Sequence, residues 1–163
     1  MALLEERLKR DKLDYSVVNA SISGETTSGG RSRIRKVLEQ HRPSIVVLEL
    51  GANDGLRGLP VAEMKKNLSA IIQATQKAGA RVVLVGVRMP PNYGPDYTGA
   101  FDGAFPELAK RHRVALVPFL LEGVADHPEM FQSDRMHPNE AAQPILLDTV
   151  WSVLGPALKN AGK

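Results

Sequence analysis

Asp134 and His137 stand three positions apart in the run Asp134-Arg135-Met136-His137-Pro138. In a tight turn that spacing brings a carboxylate to imidazole Nδ1. The contact fixes the tautomer and leaves Nε2 able to take a proton from a nucleophile. An isolated Asp-x-x-His is also how a helix-capping aspartate beside a solvent-facing histidine reads, so the pair needs company. Two other motifs provide it. Gly51-Ala52-Asn53-Asp54 directly follows the apolar run Ile45–Leu50. An asparagine amide placed there donates to an oxygen that gains negative charge, and Gly51 lets the backbone approach a substrate closely. The same residue types are ordinary in a strand-to-helix turn. Ser23-Gly24-Glu25-Thr26 follows a second apolar run, and the backbone N–H of Gly24 offers another oxyanion donor. A base, its orienter and two oxyanion donors are parts of an acyl-transfer machine.

The nucleophile is harder to find. Ser21, Ser23, Ser28, Ser32 and Ser133 are available, but none sits in a Gly-x-Ser-x-Gly elbow. Turn serines such as Ser21 and Ser23 more often bond their own backbone. The stretch from Gly24 to Ser32 has the glycine spacing of a phosphate loop. Gly30 occupies the place where such a loop needs lysine, which excludes nucleotide binding of that kind. His41, His112 and His127 read as helix-end or loop histidines. No His, Asp or Glu cluster has metal-ligand spacing, so neither metal nor cofactor is expected. A paired-carboxylate mechanism through Glu25, Asp54 and Asp134 has no spacing to support it.

Composition reads as that of an ordinary globular protein. The chain has 163 residues, 43% of them hydrophobic and 24% charged, which suits one soluble domain over residues 1–163. A net charge of +3, with no basic run interleaved with aromatics, argues against nucleic acid as a partner. Apolar runs are strand-sized, so stable membrane insertion is not expected. Met1-Ala-Leu-Leu-Glu-Glu is acidic and amphipathic rather than an export signal, and there is no cysteine.

The elements that must position these motifs alternate between two periodicities. Leu3, Leu4 and Leu8 mark a first helix, and Tyr15–Val18 a short strand. Ile34, Val37 and Leu38 mark a helix ending near Gln40. Ile45–Leu50 and Val82–Val87 are strands with little alternation, as expected where both faces are covered. Between them Met64, Leu68, Ile71, Ile72 and Thr75 define a long helix. Phe101, Phe105 and Leu108 define another, followed by the strand Ala115–Val117. The last helix carries Ala142, Ile145, Leu146, Thr149, Val150, Val153 and Leu154, with Pro138 suited to its first turn. Alternating strands and helices predict an α/β architecture, a three-layer open parallel sheet. In such sheets ligands bind beyond the carboxyl ends of the strands. The loops 19–30, 51–59, 89–97 and 118–137 all leave strands there, so they are expected to line one crevice.

The motifs together resemble the SGNH (GDSL-type) hydrolases. Asn19-Ala-Ser-Ile-Ser-Gly-Glu-Thr-Thr27, Leu48-Glu-Leu-Gly-Ala-Asn-Asp-Gly-Leu-Arg-Gly58, Pro90-Pro-Asn-Tyr-Gly-Pro95 and Asp134-Arg-Met-His-Pro-Asn139 are similar to the bacterial branch with thioesterase, lysophospholipase and arylesterase activities. The resemblance covers essentially the whole chain. It implies a flavodoxin-like topology and hydrolysis of small acyl esters or thioesters through an acyl-serine. It casts His137 as base, Asp134 as its orienter, and Gly24 and Asn53 as oxyanion donors. Gly51, Asp54, Pro91, Asn92 and Tyr93 become substrate-binding residues. The family's opening Gly-Asp-Ser block, with its serine and first strand, is not found in residues 1–163. The sequence therefore reads as an N-terminally truncated member whose first strand is missing, with exposed sheet edges that invite self-association. Two alternatives accompany this reading: a non-catalytic protein that binds acyl ligands, and an oligomer in which a partner chain supplies the strand. The family is often periplasmic, but nothing in these residues assigns a compartment.

Overall fold

The structure, a computed structural model, describes residues 1–159. In chain order its elements are α1 (Ala2–Arg10), α2 (Thr27–His41), β1 (Ile45–Glu49), α3 (Ala52–Leu56), α4 (Val61–Lys77), β2 (Arg81–Val85), α5 (Pro95–His112), β3 (Ala115–Val117) and α6 (Gln143–Lys159). Single 3-10 turns occupy Pro91–Tyr93, Pro128–Met130 and Glu140–Ala142. The chain divides into two compact units: Ala20–Phe119, and Met1–Asn19 together with the chain from Leu120 onward. Among the described residues no helix is long and apolar enough to cross a membrane.

The unit Ala20–Phe119 holds a three-stranded parallel sheet in the order β1-β2-β3. Ile45 is in register with Arg81 and Glu49 with Val85, while Val83 faces Ala115. Each parallel step needs a crossover, which α3 with α4, and then α5, provide. Leu48, Val82 and Leu84 from the strands pack with Met64, Leu68, Ile71 and Ile72 of α4 and with Phe101, Phe105 and Leu108 of α5. The helical apolar positions are those the period of 3.6 marks out. β2 is buried on both faces, as its unalternating run anticipates. β1 departs from that expectation: Val47 is 42% exposed and Glu49 is exposed. The reason is its place at the edge, where among the described residues it pairs with β2 alone. α5 begins earlier than its aromatic pattern indicates, because Pro95 suits a first helical turn and Gly94 turns the chain into it at φ 86°.

In the other unit, Leu8 of α1 is buried, and the Arg7 guanidinium lies 4.9 Å above the Trp151 ring while bonding Asp148 of α6 at 3.0 Å. The expected strand at Tyr15–Val18 is corrected: these residues are in no ladder. Tyrosine and valine favour extended backbone, but a strand exists only with a partner to bond. Here Tyr15 N–H donates to Leu13 at 3.0 Å, its hydroxyl donates to the Leu158 carbonyl at 3.0 Å, and Val18 is 52% exposed. Pro138 is corrected as well. It forms an isolated antiparallel bridge with Phe131, and Asn139 caps the turn that leads into α6.

Candidate active site

The turn from Gln132 to Asn139 places the acid and the imidazole together. Asp134 Oδ2 lies 2.6 Å from His137 Nδ1. The other oxygen, Oδ1, accepts the backbone N–H groups of Met136 at 2.9 Å and His137 at 3.0 Å. The backbone hydrogen bond from His137, then its ring, then the Met136 N–H hold the Asp134 carboxyl down at about 2, from an ordinary value of 3.8. A carboxylate that accepts several N–H bonds favours its charged form in this way. Arg135 takes a left-handed φ of 55°, which costs a non-glycine residue on the order of 1 kcal/mol. Gln132 N–H closes the turn on the His137 carbonyl at 2.8 Å. Both side chains are substantially exposed, and Nε2 of His137 makes no hydrogen bond among the described residues. The geometry suits a base whose Nδ1 is occupied and whose Nε2 is free to work.

Asn139 was not singled out by the sequence reasoning, yet it builds this turn. Its Oδ1 accepts from Ala141 at 3.0 Å and Ala142 at 3.3 Å, and its Nδ2 donates to the Glu129 carbonyl at 2.7 Å. Asparagine ahead of a helical run is the signal that could have found it. His127 and Glu129 form a second imidazole–carboxylate contact at 3.0 Å. The Glu129 carboxyl is likewise held below its ordinary range, first by its own backbone N–H and then by the His127 ring. Among the described residues no group of three His, Asp or Glu side chains is arranged to hold a metal.

The other unit arranges Gly24, Gly51, Asn53 and Asp54. Gly24 turns at φ 75° with open space where a side chain would be, and its carbonyl accepts Arg57 at 3.1 Å. Gly51 turns at φ 124° between β1 and α3, conformations that favour glycine in both cases. Asn53 Nδ2 donates to the Glu25 carbonyl at 3.0 Å. An amide nitrogen carries two hydrogens, so this bond orients the group and leaves a second N–H to donate. Asp54 is 3% exposed. Its carboxylate accepts the Thr27 backbone N–H at 2.8 Å and the Thr27 hydroxyl at 2.5 Å, and Asn67 Nδ2 bonds that hydroxyl at 3.2 Å. Thr26, the residue before α2, makes no side-chain cap, so Asp54 caps α2 from another element. Its side chain ties Thr27 to α3 and fixes the turns that carry Gly24 and Asn53.

Pro91, Asn92 and Tyr93 form a 3-10 turn, with both Pro91 and Asn92 exposed. Tyr93 donates to the Leu56 carbonyl at 3.1 Å, and Tyr97 donates to that of Leu59 at 2.7 Å. The two rings stack at 6.2 Å. Burial, then the Asp54 charge, push the Tyr97 hydroxyl above its usual range, which keeps it a donor. Two tyrosines thus fasten this loop to the one that follows Asn53.

Comparison with known proteins identifies the family. The profile of the GDSL-like Lipase/Acylhydrolase family matches residues 1–144. The chain belongs to this family. The chain is 48% identical to esterase TesA of Pseudomonas aeruginosa over 97% of its own length and 79% of that one. It is 43% identical to thioesterase 1/protease 1/lysophospholipase L1 of Escherichia coli K12 over 89% of this chain and 70% of the relative. A crystal structure of TesA superposes with a TM-score of 0.92 at 48% identity, covering 95% of this chain and 86% of that one. The chain therefore has the α/β fold of the SGNH hydrolases.

Proposed function

We propose that this chain serves the hydrolysis of small carboxylic esters and thioesters through an acyl-serine, in a form of the protein that carries a Gly-Asp-Ser block. His137 is the general base and Asp134 its orienter. Gly24 N–H and the second Asn53 amide hydrogen are the oxyanion donors. The serine Oγ attacks the acyl carbonyl as His137 Nε2 takes its proton. The two donors stabilise the oxyanion. Collapse of the tetrahedral intermediate expels the alcohol or thiol, which takes the proton back from His137. Water then repeats the sequence on the acyl-enzyme and regenerates the serine. Gly51, Pro91, Asn92 and Tyr93 border the acyl or leaving group. Asp54, buried and fully engaged with Thr27, serves by holding the turns in place.

The observation that carries this reading is the 2.6 Å Asp134–His137 contact with its two backbone anchors. The test is fluorophosphonate labelling and p-nitrophenyl butyrate turnover. Both are read for this chain and for a form extended by a Gly-Asp-Ser strand segment, each with and without His137→Ala. Labelling and turnover present in the extended form and lost with His137→Ala are expected. Equal turnover with and without His137 would overturn the assignment.

A further inference from the structure

A groove of about 500 Å³ lies along the outer side of α4 in the unit Ala20–Phe119. It contains four cations, Arg31, Lys65, Lys66 and Arg111, and no carboxylate among its lining residues. The cations come from three helices, so the fold assembles them rather than a basic run: Arg31 from α2, the two lysines from α4 and Arg111 from α5. The whole chain has a net charge of only +3, so this much positive charge in one groove is a local concentration. Ala62 and Ala70 keep the floor low, and Ser69 and Gln73 place a hydroxyl and an amide along it.

The cations are held, not loose. Lys65 and Arg111 share one carboxylate, Glu107, which neutralises at most one of them. Lys66 has only a long contact of 3.7 Å to Glu63. Arg31 has no carboxylate among the described residues. Its Nη1 donates to Asn67 Oδ1 at 3.2 Å, a neutral and buried partner. Asn67 in turn bonds Thr27, which bonds Asp54. A guanidinium steadied by a buried amide, with its remaining donors unpaired among the described residues, is prepared for a tetrahedral oxyanion that it can engage at two points.

We propose that this groove is a binding site for a phosphate group, with Arg31 and Lys66 as its principal ligands and Lys65 and Arg111 completing the positive field. The group is either that of a soluble phosphate compound or that of an anionic lipid headgroup. The volume accommodates a phosphate with a small organic substituent. The site does not depend on the ester-hydrolysing reading, because it requires no nucleophile and no turnover.

The test uses the chain as it stands. Binding of inorganic phosphate and pyrophosphate is followed by calorimetry and by amide NMR at fixed ionic strength. Co-sedimentation is followed with phosphatidylcholine vesicles, with and without phosphatidylglycerol. Saturable binding of the soluble anions, reduced at least tenfold in Arg31→Gln/Lys66→Gln, establishes the site with a soluble ligand. Sedimentation only with phosphatidylglycerol, lost in the same variant, establishes it with a headgroup. Lys9→Gln/Lys36→Gln removes the same charge elsewhere and is expected to bind as the parent does. Equal losses in both double variants, or no binding of either kind, would overturn the proposal.

Discussion

At the scale of single residues, hydrogen bonds decide what each side chain can do. Asp134 is held in its charged form by two N–H groups and a ring, so its native value of about 2 lies below its ordinary one. A carboxyl depressed in this direction contributes stability that is present above its ordinary value and is lost as pH falls through the native one. A ¹³C titration of the Asp134 carboxyl should therefore have its midpoint near 2, and the His137 contact should persist in acid well below pH 4. A midpoint at the ordinary value of 3.8 would mean that the turn is not formed in solution. Asn53 makes a different prediction. Its bond to Glu25 orients the amide without consuming both hydrogens. In the form that carries the Gly-Asp-Ser block, Asn53→Ala should lower kcat by about 10² to 10³, the usual loss for one oxyanion donor, with little change in KM. A change confined to KM would assign Asn53 to substrate binding alone.

At the scale of elements, one buried carboxylate joins α2 to α3. Thr27 is fully buried, and its backbone N–H and hydroxyl both end on Asp54. Thr27→Ala removes the hydroxyl and leaves both Asp54 Oδ1 and Asn67 Nδ2 short of a partner. A buried polar group left unsatisfied costs about 1–3 kcal/mol. For a chain of this size that lowers Tm by roughly 2–4 °C per kcal/mol. Thermal unfolding of the variant checks this, and an unchanged Tm would mean the network is wet. The sequence made some of this legible and hid the rest for identifiable reasons. The α4 stripe of Met64, Leu68, Ile71, Ile72 and Thr75 was readable because one helix repeats one contact. The Asp134–His137 pair was readable because a single turn of four residues suffices to form it. The bond from Asp54 to Thr27 was not, since a cap supplied across 27 positions leaves no local pattern. Tyr15–Val18 misled because propensity is local while a ladder is not.

At the scale of the whole molecule, the open side of β1 matters most. Among the described residues β1 is in a ladder with β2 alone, and Val47 is 42% exposed. An edge strand of this kind is a template for another strand unless charge, proline or a bulge blunts it. Ile45-Val46-Val47-Leu48 contains none of these devices, and the strand's one charge, Glu49, stands at its carboxyl end. A net charge of +3 spread over 163 residues adds little repulsion between copies. Multi-angle light scattering should therefore give a mass that rises with concentration above the 17.7 kDa of one chain. Val47→Lys places a charge on the solvent face of the edge without touching the Leu48 side of the sheet. It should return the mass to that of a monomer while leaving Tm nearly unchanged. A parent chain that stays monomeric across the concentration range would mean that the β1 edge is protected in solution. A variant that loses Tm would place Val47 in the fold rather than at a surface between copies.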